Sequence, residues 1–203
     1  MFHIFRSAGW PIWLLLVVSI ICLALIIERF LALRRTRILP DGLLSRTIRR
    51  FKEGKMGERE VEQLSQDSPL GMVLAAGLRR ADQPKEDIKE SMEEAGHTAG
   101  LQMERFLTSI GTIAALAPLL GLFGTVVGMI EIFGAQNATG MNPTQLAHGI
   151  SVALYNTGFG LLIAMPALAC YRHFKAQTNN FLIQMETQAS KLIDAILSSR
   201  HTE

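Results

Sequence analysis

The stretch Phe106-Leu-Thr-Ser-Ile-Gly-Thr-Ile-Ala-Ala-Leu-Ala-Pro-Leu-Leu-Gly-Leu-Phe-Gly-Thr-Val-Val-Gly-Met-Ile130 decides the fold. Its 25 residues carry no charge, and a helix rising about 1.5 Å per residue crosses a hydrocarbon core of about 30 Å within that length. Two further uncharged runs flank it, Trp10 to Ile27 with 18 residues and Gly149 to Tyr171 with 23. The chain of 203 residues has 20 Lys plus Arg and 18 Asp plus Glu. Only strong segregation of those charges leaves three such gaps, which excludes an ordinary soluble enzyme.

The first run is longer than the roughly 7–15 apolar residues of a secretory leader. It passes directly into Glu28-Arg29 and then Arg34, Arg35 and Arg37, so it reads as a retained anchor. Counting Lys and Arg by segment gives 1 before the first span, 15 from Arg29 to Arg105, none from Glu131 to His148, and 4 after Tyr171. Basic residues stay on the cytoplasmic side, so the N-terminus faces outward and the C-terminus inward. The expected division is an outward N-terminus over 1–9, spans over 10–27, 106–133 and 149–171, a cytoplasmic helical region over 28–105, an outward loop over 134–148, and a cytoplasmic C-terminal helix over 172–203. The fold class is an all-α integral membrane protein with three transmembrane helices and long cytoplasmic helical extensions. A net charge of +2, with 14 acidic residues among the basic ones of Glu28–Arg105, argues against a nucleic-acid partner. Cys22 and Cys170 both lie inside spans and read as small apolar groups. No disulfide framework, metal site or cofactor site is indicated.

Within the polar region, Asp41 is a candidate cap for a helix carrying Leu43, Leu44, Ile48 and Phe51, and Gly54 a candidate stop. Ser68-Pro69 reads as an N-cap followed by proline at the first helical position. A third helix starts near Pro84, and without a breaker stronger than glycine before Pro118 it is expected to run into the second span as one helix from Pro84 to Phe133. After Tyr171, Phe174, Phe181, Leu182, Met185, Ala189, Leu192, Ile193 and Ile196 follow one helix face, so the tail extends the third span. The partner of that face is either the polar part of the second helix or a neighbouring subunit. Arg79, Arg80, Glu93 and Glu94 are candidates for intersubunit pairs or for solvated charges.

The second span places Ala114, Pro118, Gly121, Thr125 and Gly128 on one face, with Gly124 beside them, and the third matches them with Ala153, Thr157, Gly160 and Ala164. Small residues let helix backbones approach closely in lipid, so Gly121, Gly124, Gly128 and Gly160 are the candidate packing residues. Thr125 lies eight residues from Phe133 and Thr157 nine from His148, so the two share a depth of about 12–14 Å. A threonine bonding its own helix carbonyl accounts for either one alone. Asn156, with Tyr155 beside it, adds an amide that needs partners in hydrocarbon and favours an interior-facing site. Between Phe106 and Ile130, and between Gly149 and Tyr171, there is no Asp, Glu, Lys or Arg. A proton relay requires a titratable group, so a proton moving here is carried by another chain. Glu131 reads as a solvated end residue.

The runs Gly121-Leu-Phe-Gly-Thr-Val-Val-Gly128 and Gly149-Ile-Ser-Val-Ala-Leu-Tyr-Asn-Thr-Gly-Phe-Gly-Leu-Leu-Ile-Ala-Met-Pro166, with the three-span outline, resemble the ExbB/TolQ/MotA proton-channel family. Three spans with an outward N-terminus look like its ExbB or TolQ branch, ExbB being the closer. The resemblance implies a ring, a pentamer, whose second and third helices enclose a pore. It also implies an ExbD-type single-span partner carrying a transmembrane aspartate inside that pore, and a TonB-type protein energised by the proton motive force in a bacterial inner membrane. It places the pore threonines at Thr125 and Thr157, with Asn156 and Tyr155 as secondary lining residues. Relatives carry a glutamate at the position of Val152, an apolar departure, and His148 stands four residues earlier. The alternatives are a TolQ-like subunit for envelope maintenance and a passive membrane scaffold. A hydrolase built on Ser151 and His148 lacks an oxyanion arrangement, so no enzymatic activity is expected.

Overall fold

A computed structural model describes residues 10–134 and 143–200. Those residues form eight helices: α1 Pro11–Ala32, α2 Arg35–Ile38, α3 Leu43–Lys52, α4 Glu58–Asp67, α5 Pro69–Arg79, α6 Lys85–Glu104, α7 Leu107–Gly134 and α8 Pro143–Arg200. They fall into two compact units. One takes the chain up to Arg29 together with Phe106–His173; the other takes Phe30–Arg105 and the chain from Phe174 onward.

The first unit holds α1 as far as Arg29, α7 and the first part of α8. Helices α1, α7 and α8 each carry a stretch long and apolar enough to cross a membrane. Their outward side chains include Trp13, Ile20, Leu23, Leu116, Leu119, Ile130, Leu154, Leu162 and Met165, all exposed. Water would not tolerate so much apolar surface, whereas lipid does. Where α7 and α8 meet, the buried positions are small: Ala114, Ala117, Ala153, Ala164 and Ala167, with Gly121 and Gly160 between them, while Ile12, Leu15, Leu107 and Ile110 are large buried side chains of the unit. Pro118 and Pro166 lie within α7 and α8. His148 and Val152 have side chains outside the described residues, as do the N-terminal segment 1–9 and the loop residues 135–142.

The second unit is a helical domain with charged side chains on its outer faces. Ser68 Oγ accepts from the Gly71 amide at 3.0 Å and Pro69 opens α5, so the Ser68-Pro69 signal is realised. Gly54, at φ +66°, ends α3 in the left-handed region, and α6 begins directly after Pro84. Asp41 does not cap α3; Gly42 does, at φ +72°, because a turn in that region favours the residue without a Cβ. Helix α4 was not foreseen; only Val61 and Leu64, one turn apart, are buried along it.

The single helix expected from Pro84 to Phe133 is not formed. Helix α6 ends at Glu104, α7 begins at Leu107, and Phe106 adopts φ +66°. Left-handed backbone costs a side-chain-bearing residue about 1–2 kcal/mol, so tertiary contacts must hold it. The Arg29 guanidinium stands 5.3 Å from the Phe106 ring centroid while only 5% exposed, and it forms a bidentate pair with Glu28 at 2.5 and 2.7 Å. A cation over an aromatic face contributes more when removed from water. The Ile110 amide then bonds the Phe106 carbonyl at 3.1 Å and restarts the helix.

Helix α8 continues unbroken as the tail was expected to. Phe174, Phe181, Met185, Ala189, Leu192, Ile193 and Ile196 are buried within the single chain, which settles the partner of that stripe as intramolecular. The Phe174 ring meets Phe30 edge-on at 6.1 Å, Gln177 Nε2 donates to the Leu33 carbonyl at 3.0 Å, and Leu182 packs over Gly100. Lys175 pairs with Glu104 at 2.5 Å, and Arg200 donates to the carbonyls of Ala81 and Gln83. Within the chain Arg79 pairs with Glu62, Arg80 bonds Gln83, and Lys89 pairs with Glu93 at 3.4 Å.

Candidate functional site

Helices α7 and α8 of the first unit run antiparallel, and the close approaches give their register. A Cβ added at Gly128 would lie 3.6 Å from Ala153 Cβ, one at Gly124 would lie 2.7 Å from Asn156 Cβ, and one at Gly160 would lie 2.5 Å from the Ala117 carbonyl oxygen. Further along, Gly111 meets the Tyr171 ring. Gly121 is enclosed by backbone: its missing side chain would stand 2.7 Å from the Asn156 carbonyl, 3.0 Å from Thr157 Cα and 3.2 Å from Gly160 Cα. Here backbone touches backbone, and only glycine permits it.

This seam is rotated from the face expected of α7. Ala114, Ala117, Gly121 and Gly124 are buried, while Pro118, Thr125 and Gly128 lie at its edge, half-buried. The Asn156 side chain explains the rotation. Its amide sits on Gly124, with Cγ 2.8 Å from where a Cβ would be, and Asn156 is 1% exposed. Asn156 therefore belongs to the interior of the α7–α8 pair, and its neighbour Tyr155 is exposed.

The two threonines remain accessible. With Gly124 opposite Asn156, stepping to Thr125 and to Thr157 moves in opposite directions along antiparallel helices, so the pair differs by about 3 Å in height. Thr125 Oγ1 donates to the Leu122 carbonyl at 2.6 Å, the bond within its own helix that a membrane threonine commonly makes. Its oxygen keeps lone pairs to accept with, and a rotation about χ1 would turn the proton outward. Thr157 is half-buried on the flank of the same seam. Between Phe106 and Ile130, and between Gly149 and Tyr171, the two helices carry no Asp, Glu, Lys or Arg; the charges that bound those stretches are Glu131 on the Phe133 side and Arg105 and Arg172 on the opposite side. Among the described residues no cluster of His, Cys, Asp and Glu is arranged to hold a metal.

Residues 65–187 match the MotA/TolQ/ExbB proton channel family. The chain belongs to that family. An ExbB-like protein of Synechocystis is 32% identical over 83% of this chain and 68% of its own length. The biopolymer transport protein exbB1 of Vibrio cholerae is 33% identical over 81% and 74%, and the Tol-Pal system protein TolQ of Haemophilus influenzae is 28% identical over 93% and 89%. Family membership and the three apolar helices make this a multi-pass inner-membrane protein of proton-channel type. Sequence reading missed two features of this unit. Asn156 as an interhelical wedge had a signal in Gly124, its size complement; the buried Arg29 had none beyond its place at the end of an apolar run.

Proposed function

We propose that this chain is the ring-forming subunit of an ExbB–ExbD type complex that uses the proton motive force to energise a TonB-type protein for outer-membrane transport. In this reading several copies, five in the family pattern, arrange α7 and α8 around a pore, with the N-terminus and the 134–148 loop periplasmic and the second unit cytoplasmic. The observation that carries it is the pair Thr125 and Thr157, within about 3 Å of one another in height, on helices whose spanning stretches bear no carboxylate. The titrating group is then an aspartate on a single-span partner. When that acid is charged, a threonine that swings its hydroxyl away from the helix carbonyl donates to it. When it is protonated, the same oxygen accepts. The local cost of Thr125 giving up its bond to Leu122 is small beside a hydrogen bond to a charged group, about 1.5–3 kcal/mol. A unit charge moving through 100 mV supplies about 2.3 kcal/mol, enough to shift such contacts from one subunit to the next.

Replacing both threonines by valine keeps shape and removes both hydroxyls. Proton flux through the complex co-reconstituted with its single-span partner should fall about 10- to 100-fold, the range corresponding to one lost charge-assisted bond. Flux equal to wild type, or a purified complex in which Thr125 and Thr157 face lipid, overturns the proposal. The TolQ-like alternative is favoured by one observation, the match to TolQ over 93% of this chain. Rescue of envelope integrity without rescue of energised uptake, in cells lacking both systems, would select it.

A further inference from the structure

We propose that the segment following α1 is a binding surface for anionic lipid headgroups of the leaflet in which that helix ends. Helix α1 closes at Ala32 with Phe30 and Leu31 still exposed. Arg34, Arg35 and Arg37 follow at once, all exposed. Among the described residues none of the three stands within ion-pair distance of a carboxylate. From Arg34 to Lys55 there are eight basic residues and two acids, Asp41 and Glu53, and Glu53 is engaged by Lys55 at 3.0 Å.

The geometry of the segment is fixed from the other side. Leu33, Ile38 and Leu39 are buried, and the Leu33 carbonyl accepts from Gln177. With those groups turned inward, the one-turn helix α2 holds its arginines outward instead of letting them fold back on the chain. Exposed apolar residues ending a membrane helix, followed within two residues by fixed cations, match a bilayer boundary: hydrocarbon first, phosphates next. Guanidinium forks pair with phosphate oxygens bidentately, and basic residues immediately beside a span select anionic lipids over zwitterionic ones. An acidic protein partner would satisfy the charge, but it would leave Phe30 and Leu31 without their solvent. Covalent linkage to the end of α1 also keeps Arg34 within a few residues of the headgroups whatever else binds.

The test uses the intact chain purified in detergent and offered equimolar phosphatidylglycerol and phosphatidylethanolamine, with retained lipids counted by native mass spectrometry. Wild type should retain phosphatidylglycerol preferentially. The preference should fall about fivefold per arginine in R34Q/R35Q/R37Q, the factor equivalent to about 1 kcal/mol per basic residue at an anionic surface, and should persist in R34K/R35K/R37K. The other twelve basic residues of Arg29–Arg105 continue to set the topology of the glutamine variant. Raising salt from about 0.05 M to about 0.5 M should weaken the wild-type preference by screening, a measurement that needs no variant to fold. Equal retention of the two lipids by wild type, a preference indifferent to salt, or a glutamine variant that selects as wild type does would each overturn the proposal; the last would point to a protein partner instead.

Discussion

Between Ala153 and Ala167 helix α8 buries alanine, glycine and asparagine; between Phe174 and Ile196 the same helix buries mainly phenylalanine, methionine, leucine and isoleucine, with Thr178 and Ala189 among them. The difference follows from the solvent of each stretch. In lipid, hiding apolar surface gains nothing, so helices associate by closeness, and the smallest side chains win. In water, association scales with apolar area removed, about 25 cal/mol per Å², and large side chains win. The outer faces invert accordingly, with Leu154, Leu162 and Met165 exposed in the first stretch and Lys191 and Asp194 in the second.

The comparison is broken most forcefully at Phe174, 1% exposed. Phe174→Ala should destabilise the second unit by about 3–5 kcal/mol, the usual cost of emptying an aromatic site, seen as a lowered thermal transition in detergent. Gly160→Ala is the opposite kind of insult, adding one methyl where the Ala117 carbonyl stands 2.5 Å away. A cost of about 1–3 kcal/mol is expected from overpacking. Gly158→Ala, with nothing within 4 Å of its new methyl, should be neutral or stabilising because alanine favours helix. If both glycine variants behaved alike, the closeness argument would be lost. Smallest of all is Lys175→Gln, which breaks a pair whose side chains are 42% and 36% exposed; solvent limits the change to about 0–1 kcal/mol, and a double-mutant cycle with Glu104→Gln measures it.

What the sequence disclosed divides along physical lines. The three spans were legible because each is a gap in the charges, and the cap at Ser68, the stop at Gly54 and the start after Pro84 were legible because each is local chemistry. The tail's buried face was legible from its period. The break at Phe106 was not, since no glycine or proline marks it and the ring it depends on is gripped by Arg29, 77 positions earlier. Helix α4 escaped because two buried residues in ten give too faint a period. The close approaches at Gly121, Gly124 and Gly160 were legible as small residues; that the seam of α7 passes through Ala117 and Gly124 with Pro118 and Thr125 at its edge was not, because Asn156 on the other helix dictates which small residues it needs opposite.

One stripe of buried positions on α8 runs Ala153, Asn156, Gly160, Ala164, Ala167, then Phe174, Thr178, Phe181, Met185, Ala189, Leu192 and Ile196, with half-buried Tyr171 filling the one gap and Ile193 widening the stripe beside Leu192. They are separated by threes and fours throughout. The helix is thus indexed once for both solvents. One residue inserted within either stretch would turn the buried positions beyond it about 100° off the stripe, so each stretch should tolerate many substitutions of type but no change of count.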